Sequence, residues 1–297
     1  MPNIILTTLN ARYIHSALGL RYLMANMGTL QTDTAIQEYN IESRPIDIAE
    51  KLLSSNPTII GFGVYIWNVE QITCVIALLK QIASEIVIVI GGPEVSYEVA
   101  SQHLVQDADF VITGAADTAF AQLCQSILTG NAPKDKIINA EFPPLSTLNL
   151  PYQFYTDEDI AQRIIYVEAS RGCPFKCEFC LSALDKTAWP FDLNTFLQEM
   201  QSLYERGARH FKFVDRTFNL KVANSLCILT FFLERMDDTL FLHFELIPDH
   251  LPNTLKEAIA RFPQGSLQFE IGIQSMNPAV QELISSKQNN AQSEINL

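Results

Sequence analysis

Two hydrophobic periodicities alternate along this chain. Short β-rich runs at 3–8, 34–39, 58–64, 85–92 and 108–114 are each followed by a stretch with apolar positions three and four apart. The first kind of run predicts a buried strand, the second an amphipathic helix. The helices fall at 17–28, 45–55, 69–83 and 117–129. Strand and helix in strict turn predict an α/β fold, a parallel sheet covered by helices.

Five strands joined by right-handed crossovers predict a flavodoxin-like or Rossmann-like domain over residues 1–130. Ligands of such domains collect at the carboxyl ends of the strands. The pattern lapses over 131–163, where prolines stand at 133, 143, 144 and 151 and an acidic cluster at Asp157, Glu158 and Asp159. This stretch is read as a linker ordered by its Phe and Tyr content. A second alternation fills 164–297: strands at 163–170, 210–215, 240–246 and 267–275, helices at 192–206, 221–235 and 252–261. Four βα units in a row begin a barrel, whose active face is its carboxyl end.

Composition narrows the function. The chain has 297 residues, enough for two cored domains, and 48% of them are hydrophobic. A net charge of −13 provides no broad basic face, so nucleic acid and anionic membrane surfaces are not expected partners. The first twenty residues lack a secretory start, and no apolar run reaches the length of a membrane span. These features predict a cytoplasmic protein, in which clustered cysteines bind metal or do redox chemistry rather than form disulfides.

Cys173, Cys177 and Cys180 stand in C-x3-C-x2-C spacing directly after the strand at 163–170. Structural zinc sites close four ligands, usually as two pairs, and no second pair is present. Cys74, Cys124 and Cys227 are isolated on apolar helical stripes and are read as packing residues, while His210 and His243 lie within strands. A 4Fe–4S cluster on three thiolates leaves one iron open. The loop resembles the signature of the radical S-adenosylmethionine (SAM) enzymes, including the aromatic Phe179 before the last cysteine. The resemblance implies that the three cysteines hold a 4Fe–4S cluster whose open iron chelates SAM. A flavodoxin-type or ferredoxin-type donor would supply the electron that cleaves it to a 5′-deoxyadenosyl radical. It further implies that Gly172 and Pro174 shape the loop and that Phe179 lies near the adenine. Asp215 would accept from the amino end of SAM, in "VDRTFN", where the family commonly has Gly-Gly-Glu. Glu245 would reach the ribose hydroxyls, and Gln274 and Ser275 would line the same mouth.

The first domain has no dinucleotide fingerprint, because Gly61 and Gly63 lack a third glycine, and no P-loop. Gly91 and Gly92 end a central strand, where a bulky ligand can approach the backbone. With "LNARYIHSALGLRYL", "GFGVYIWN", "GGPEVS" and "VITGAADTAF", this resembles the cobalamin-binding domain fused to one branch of radical SAM enzymes. The resemblance implies cobalamin as a cofactor, with Tyr13, His15, Tyr65, Gly91, Gly92 and Gly114 around it, and with Trp67 and Asn68 as wall residues. Family members with a histidine on cobalt carry D-x-H-x-x-G; here Tyr13 stands in place of the Asp before His15.

The expected function is methyl transfer to an unknown small-molecule or peptide substrate. The alternatives are a cluster- or corrinoid-binding remnant without turnover, a methylthiotransferase-like radical SAM enzyme, and a zinc protein. Only four of the usual six barrel strands are visible, which predicts a C-terminally truncated member with an exposed strand edge and an apolar barrel interior.

Overall fold

The computed structural model describes residues 2–184 and 187–296. The chain divides into two compact units, Met1–Thr156 and Asp157–Leu297.

In the first unit six strands form one parallel sheet: β1 Ile4–Asn10, β2 Thr34–Asn40, β3 Ile59–Gly63, β4 Val87–Gly91, β5 Phe110–Gly114 and β6 Ile137–Ala140. Their spatial order is β2-β1-β3-β4-β5-β6. The chain therefore reverses its direction of travel between β1 and β3, the switch point at which open α/β sheets bind ligands. Helices α1 Leu18–Ala25, α2 Pro45–Ser54, α3 Val69–Ile82, α4 His103–Asp107 and α5 Ala116–Leu128 connect the strands. Two apolar layers result. Ile5, Leu9, Ile60 and Ile88 meet α2 and α3, while Ile4, Leu6, Ile59 and Val89 meet α1 and α5. Successive strand residues point to opposite faces, so a sheet covered on both sides needs runs that are apolar throughout.

The linker reading is corrected here. Residues 137–140 add β6 to the sheet edge beside β5, and the unit extends to Thr156. Tyr155 is buried under the guanidinium of Arg21, 4.4 Å from its ring centroid.

The second unit opens with α6 Asp157–Gln162 and carries a four-stranded parallel sheet in the order β12-β11-β10-β7. These strands are β7 Ile165–Val167, β10 His210–Phe213, β11 Phe241–Leu246 and β12 Leu267–Ile271. A two-stranded antiparallel ribbon, β8 Ser170–Arg171 with β9 Trp189–Pro190, flanks the cysteine loop. Helices α7 Leu193–Glu205, α8 Val222–Leu233 and α9 Asn253–Ala260 follow the ribbon, β10 and β11. The side chain of Asp192 caps α7, accepting from the Thr195 N–H at 2.8 Å. After β12 come α10 Pro278–Leu283 and α11 Asn290–Asn296.

One strand face carries the core. Phe211, Phe213, Leu242 and Phe244 are buried, with Phe213 and Phe244 centroids 4.5 Å apart and Phe211 5.1 Å from Phe232 of α8. The alternate positions, Lys212, His243, Glu245 and Glu270, lie on the opposite face, where Lys212 pairs with His243 and Glu245 with Glu270 in register. The expectation of an apolar barrel interior is thus corrected: the face away from the helices is polar and ion-paired. Lys212 Nζ lies 2.9 Å from Glu270 Oε1, and His243 Nε2 lies 3.0 Å from the same oxygen.

Candidate functional site

The carboxyl ends of β10, β11 and β12 and the cysteine loop enclose a cavity of about 460 Å³. Cys173, Cys177 and Cys180 all line it. The loop is local in origin. Gly172 adopts φ +94°, a left-handed conformation that reverses the chain just before Cys173. The Cys180 N–H donates to the Cys177 carbonyl at 3.0 Å and turns the last two cysteines together. Desolvation, then the neighbouring Cys180 charge, pushes the Cys177 thiol up, so its ionisation waits for a cation to balance it.

Among the described residues no three His, Cys, Asp or Glu side chains gather around a point that would suit a single metal ion. Three thiols on one cavity are the donor chemistry that a multi-iron group would take. Thr217, buried with its hydroxyl unpaired among the described residues, lines the same cavity, and such a group is expected to meet a ligand or water.

Of the residues expected around SAM, Glu245 lines the cavity and is held at 3.1 Å by Arg216. Asp215 does not. It is 2% exposed, accepts from the Ala169 N–H at 3.0 Å and the Ser170 hydroxyl at 2.6 Å, and lines a separate small pocket of about 20 Å³. Phe179 is 54% exposed and absent from the lining, where Phe175 stands instead. Gln274 and Ser275 lie beyond the end of β12; Ser275 accepts from the Asn277 N–H and precedes α10.

Lining residues that the sequence did not single out are Arg216, Thr217, Asp249, Glu270 and Lys287. Lys287 belongs to a segment tied to the cysteine loop, because the Glu178 N–H donates to the Ile284 carbonyl at 3.1 Å and the Ser285 hydroxyl to Glu178 Oε1 at 2.8 Å. Of the three cysteines expected to be packing residues only Cys124 is buried, its thiol pushed up to about 12 by desolvation; Cys74 and Cys227 are exposed on the solvent side of their helices, which corrects that reading for them.

In the first unit the carboxyl edge of the sheet exposes Tyr13 and Ile14 after β1, Ile66 and Trp67 after β3, and Tyr97 after β4. Tyr65 and Trp67 stack with centroids 4.5 Å apart and 6° between planes. Asn68 fixes this loop from below: its Oδ1 accepts from the Tyr65 N–H at 2.8 Å, and its Nδ2 donates to the Leu9 carbonyl at 3.0 Å. Exposed apolar side chains gathered at a switch point mark a binding surface.

Residues 4–124 match the family model of the B12 binding domain. The first unit is similar to B12-binding domains over that range. Over 295 residues, 90% of this chain and 62% of the relative, the chain is 25% identical to an uncharacterised methyltransferase of Pyrococcus horikoshii. A shorter match, 28% over 104 residues, joins it to the bacteriochlorophyllide d C-8(2)-methyltransferase of Chlorobaculum tepidum, covering 32% of this chain and 22% of that one. Its fold is that of TsrM from Kitasatospora setae, a radical S-adenosylmethionine methyltransferase solved with tryptophan and a SAM analog. The TM-score is 0.72 at 15% identity, over 99% of this chain and 64% of TsrM. TsrM with cobalamin and a [4Fe-4S] cluster bound matches with a TM-score of 0.71 at 14% identity. The chain spans 62% and 64% of the lengths of the Pyrococcus relative and TsrM.

Within the first unit three glycines stand where neighbouring strand ends come close. A Cβ on Gly92, at φ +116°, would stand 2.4 Å from the Val64 carbonyl oxygen, and one on Gly114 would stand 2.5 Å from that of Ala140. A Cβ on Gly91 would meet the Ile112 carbonyl oxygen at 3.3 Å. Each of these glycines allows close packing of neighbouring strand ends. His15 is half-buried in the loop after β1, and its carbonyl accepts from Asn10 Nδ2 at 3.0 Å. Asn68 is fully buried, a staple between β1 and β3 rather than a wall.

Proposed function

We propose that this chain is a cobalamin-dependent radical SAM enzyme that transfers a methyl group to a small-molecule or peptide substrate, in the cytoplasm. The observation that carries the reading is the convergence of Cys173, Cys177 and Cys180 on one cavity at the carboxyl end of a parallel βα sheet. The TsrM-like fold and the B12-binding domain support it. Cys173, Cys177 and Cys180 would hold a 4Fe–4S cluster, which, reduced by a flavodoxin-type or ferredoxin-type donor, would supply an open iron for SAM and the electron for its cleavage.

This chain's own residues provide the surroundings. Phe175, Leu246, Ile247 and Ile271 give the cavity an apolar part beside the thiols. Glu245, oriented by Arg216, presents carboxylate oxygens to ribose hydroxyls or an ammonium group. The Thr217 hydroxyl offers a buried hydrogen bond, and Lys287 a positive charge at the rim. In the first unit the exposed side chains of Tyr13, Ile66, Trp67 and Tyr97 would hold a corrin ring, since their edge is apolar enough for a flat macrocycle.

Anaerobic loading with iron and sulfide tests the reading. The expected result is about four irons per chain, the content of one cuboidal cluster, and release of 5′-deoxyadenosine from SAM on reduction. Cys177→Ala should lose most of that iron while its melting temperature stays near the wild-type value. Full iron retention in this variant would contradict the assignment, and a full cluster that releases no 5′-deoxyadenosine would favour a binding remnant.

A further inference from the structure

Between the last residue of β7 and Cys173 the chain crosses five residues, Glu168 to Gly172, and nearly every polar group along the way is tied down. The Ala169 carbonyl accepts from the Phe191 N–H at 3.0 Å. Arg171 Nη2 lies 2.9 Å from Glu168 Oε2. From the side, the buried carboxylate of Asp215 takes the Ala169 N–H on one oxygen and the Ser170 hydroxyl on the other.

We propose that Asp215 is a positioning residue for the thiolate site: by clamping Ala169 and Ser170 it fixes the direction in which the chain enters Gly172 and delivers Cys173 to the cavity. The proposal rests on the cluster reading above. Three lines of geometry support it. Both carboxylate oxygens accept hydrogen bonds from the segment that leads to Cys173. Asp215 lines the small pocket together with Ala169 and Ser170 and is not among the residues that line the cysteine cavity. Ser170 is three residues before Cys173, too short a tether to absorb a displacement, and Cys173 is the most buried of the three thiols. A carboxylate at the end of the strand next to β7 therefore acts on the metal site through the backbone of its neighbour.

Three variants of the full chain separate this role from direct contact with SAM. In Asp215→Asn the amide oxygen accepts from Ala169 and the amide NH₂ donates to the Ser170 oxygen, so the clamp survives without charge. Ser170→Ala removes one arm, and Asp215→Ala removes both. The first readout is the alkylation rate of Cys173 in the metal-free protein, mapped by peptide mass. The others are iron per chain after anaerobic loading, the EPR spectrum of the reduced cluster, and SAM affinity by equilibrium dialysis. Asp215→Ala should label Cys173 roughly tenfold faster, as expected from loss of a buried hydrogen-bonded anchor, and retain less than half the iron. Ser170→Ala should fall between. Asp215→Asn should stay within about twofold of wild type throughout. If Asp215→Ala fails to fold, the other two variants decide. Wild-type labelling rates in Ser170→Ala and Asp215→Ala overturn the proposal. So does an Asp215→Asn protein that keeps its iron but binds SAM tenfold more weakly, since only a ligand contact would behave so. If wild type itself takes up no iron the cluster reading falls, and Cys173 labelling still decides the clamp.

Discussion

Asp215 is a carboxyl group that burial has made about as easy to protonate as a histidine. Desolvation drives its pKa from 3.8 up to about 7, and the Glu168 charge adds to this; hydrogen bonds from Ser170 and Ala169 pull the other way but do not prevail. A group whose folded-state pKa lies above its unfolded value stabilises the fold most below the unfolded value. That stability is lost as pH rises through the folded value. A rise of this size corresponds to roughly 4 kcal/mol between about pH 4 and pH 7, an upper bound because the buried charge can draw water. Asp215→Asn should therefore gain stability relative to wild type as pH rises from 5.5 to 8. Paired urea titrations at the two pH values measure the gain, and an unchanged difference would show that Asp215 does not titrate in this range. The comparison with the variant cancels the other carboxylates and the overall negative charge. Asn68 offers a second residue-scale expectation. It is fully buried and bridges β1 and the loop after β3. Asn68→Ala leaves the Tyr65 N–H without its partner and should cost about 2–3 kcal/mol in the urea midpoint analysis.

At the scale of elements, strand ends of the first unit approach so closely that a methyl group does not fit. Gly92 combines a positive φ with a Val64 carbonyl oxygen 2.4 Å from any added Cβ. Gly92→Ala must therefore push β3 and β4 apart at their carboxyl ends, costing roughly 2–3 kcal/mol, and should weaken corrinoid uptake by disturbing the edge beside Trp67. An unchanged urea midpoint would mean that the ends separate freely. These glycines were legible as special positions, but whether a ligand or the chain itself filled the space depended on Val64 and Ala140, set by tertiary packing. The strands with continuous apolar runs were legible because burial on both faces demands such runs, and their ends fall within about two residues of expectation. β6 was not, because an edge strand with alternating exposure, in a proline-rich stretch, carries too little apolar signal. Of the candidate site, the cysteine spacing was legible because it is local. Arg216, Thr217, Asp249, Glu270 and Lys287 were not, since only the parallel stacking of β10, β11 and β12 and the return of residues 284–288 bring them to one cavity. Asp215 was legible as a strand-end acid, but the side on which it emerges is set by the twist of the chain between 213 and 217.

The whole molecule consists of two units, each with its own core, and each unit carries a different proposed cofactor site. Cofactor binding should then stabilise them separately. A ligand that binds only the folded form stabilises it by RT ln(1 + [L]/Kd), about 2.7 kcal/mol at a hundred times Kd. Unfolding followed by hydrogen exchange, which resolves the two units peptide by peptide, tests this on the intact chain. Hydroxocobalamin at saturating concentration should slow exchange in β1, β3 and β4 and leave β10 and β11 unchanged. Anaerobic cluster loading should protect the cysteine loop and β7 and leave the first unit unchanged. Replacing Trp67 with Ala should abolish much of the first effect without touching the second, because its ring belongs to the exposed edge and its removal opens no buried cavity in the core. Protection of both units by either addition alone would instead mean that they unfold as one cooperative block, and the separation of cores would then have no thermodynamic counterpart.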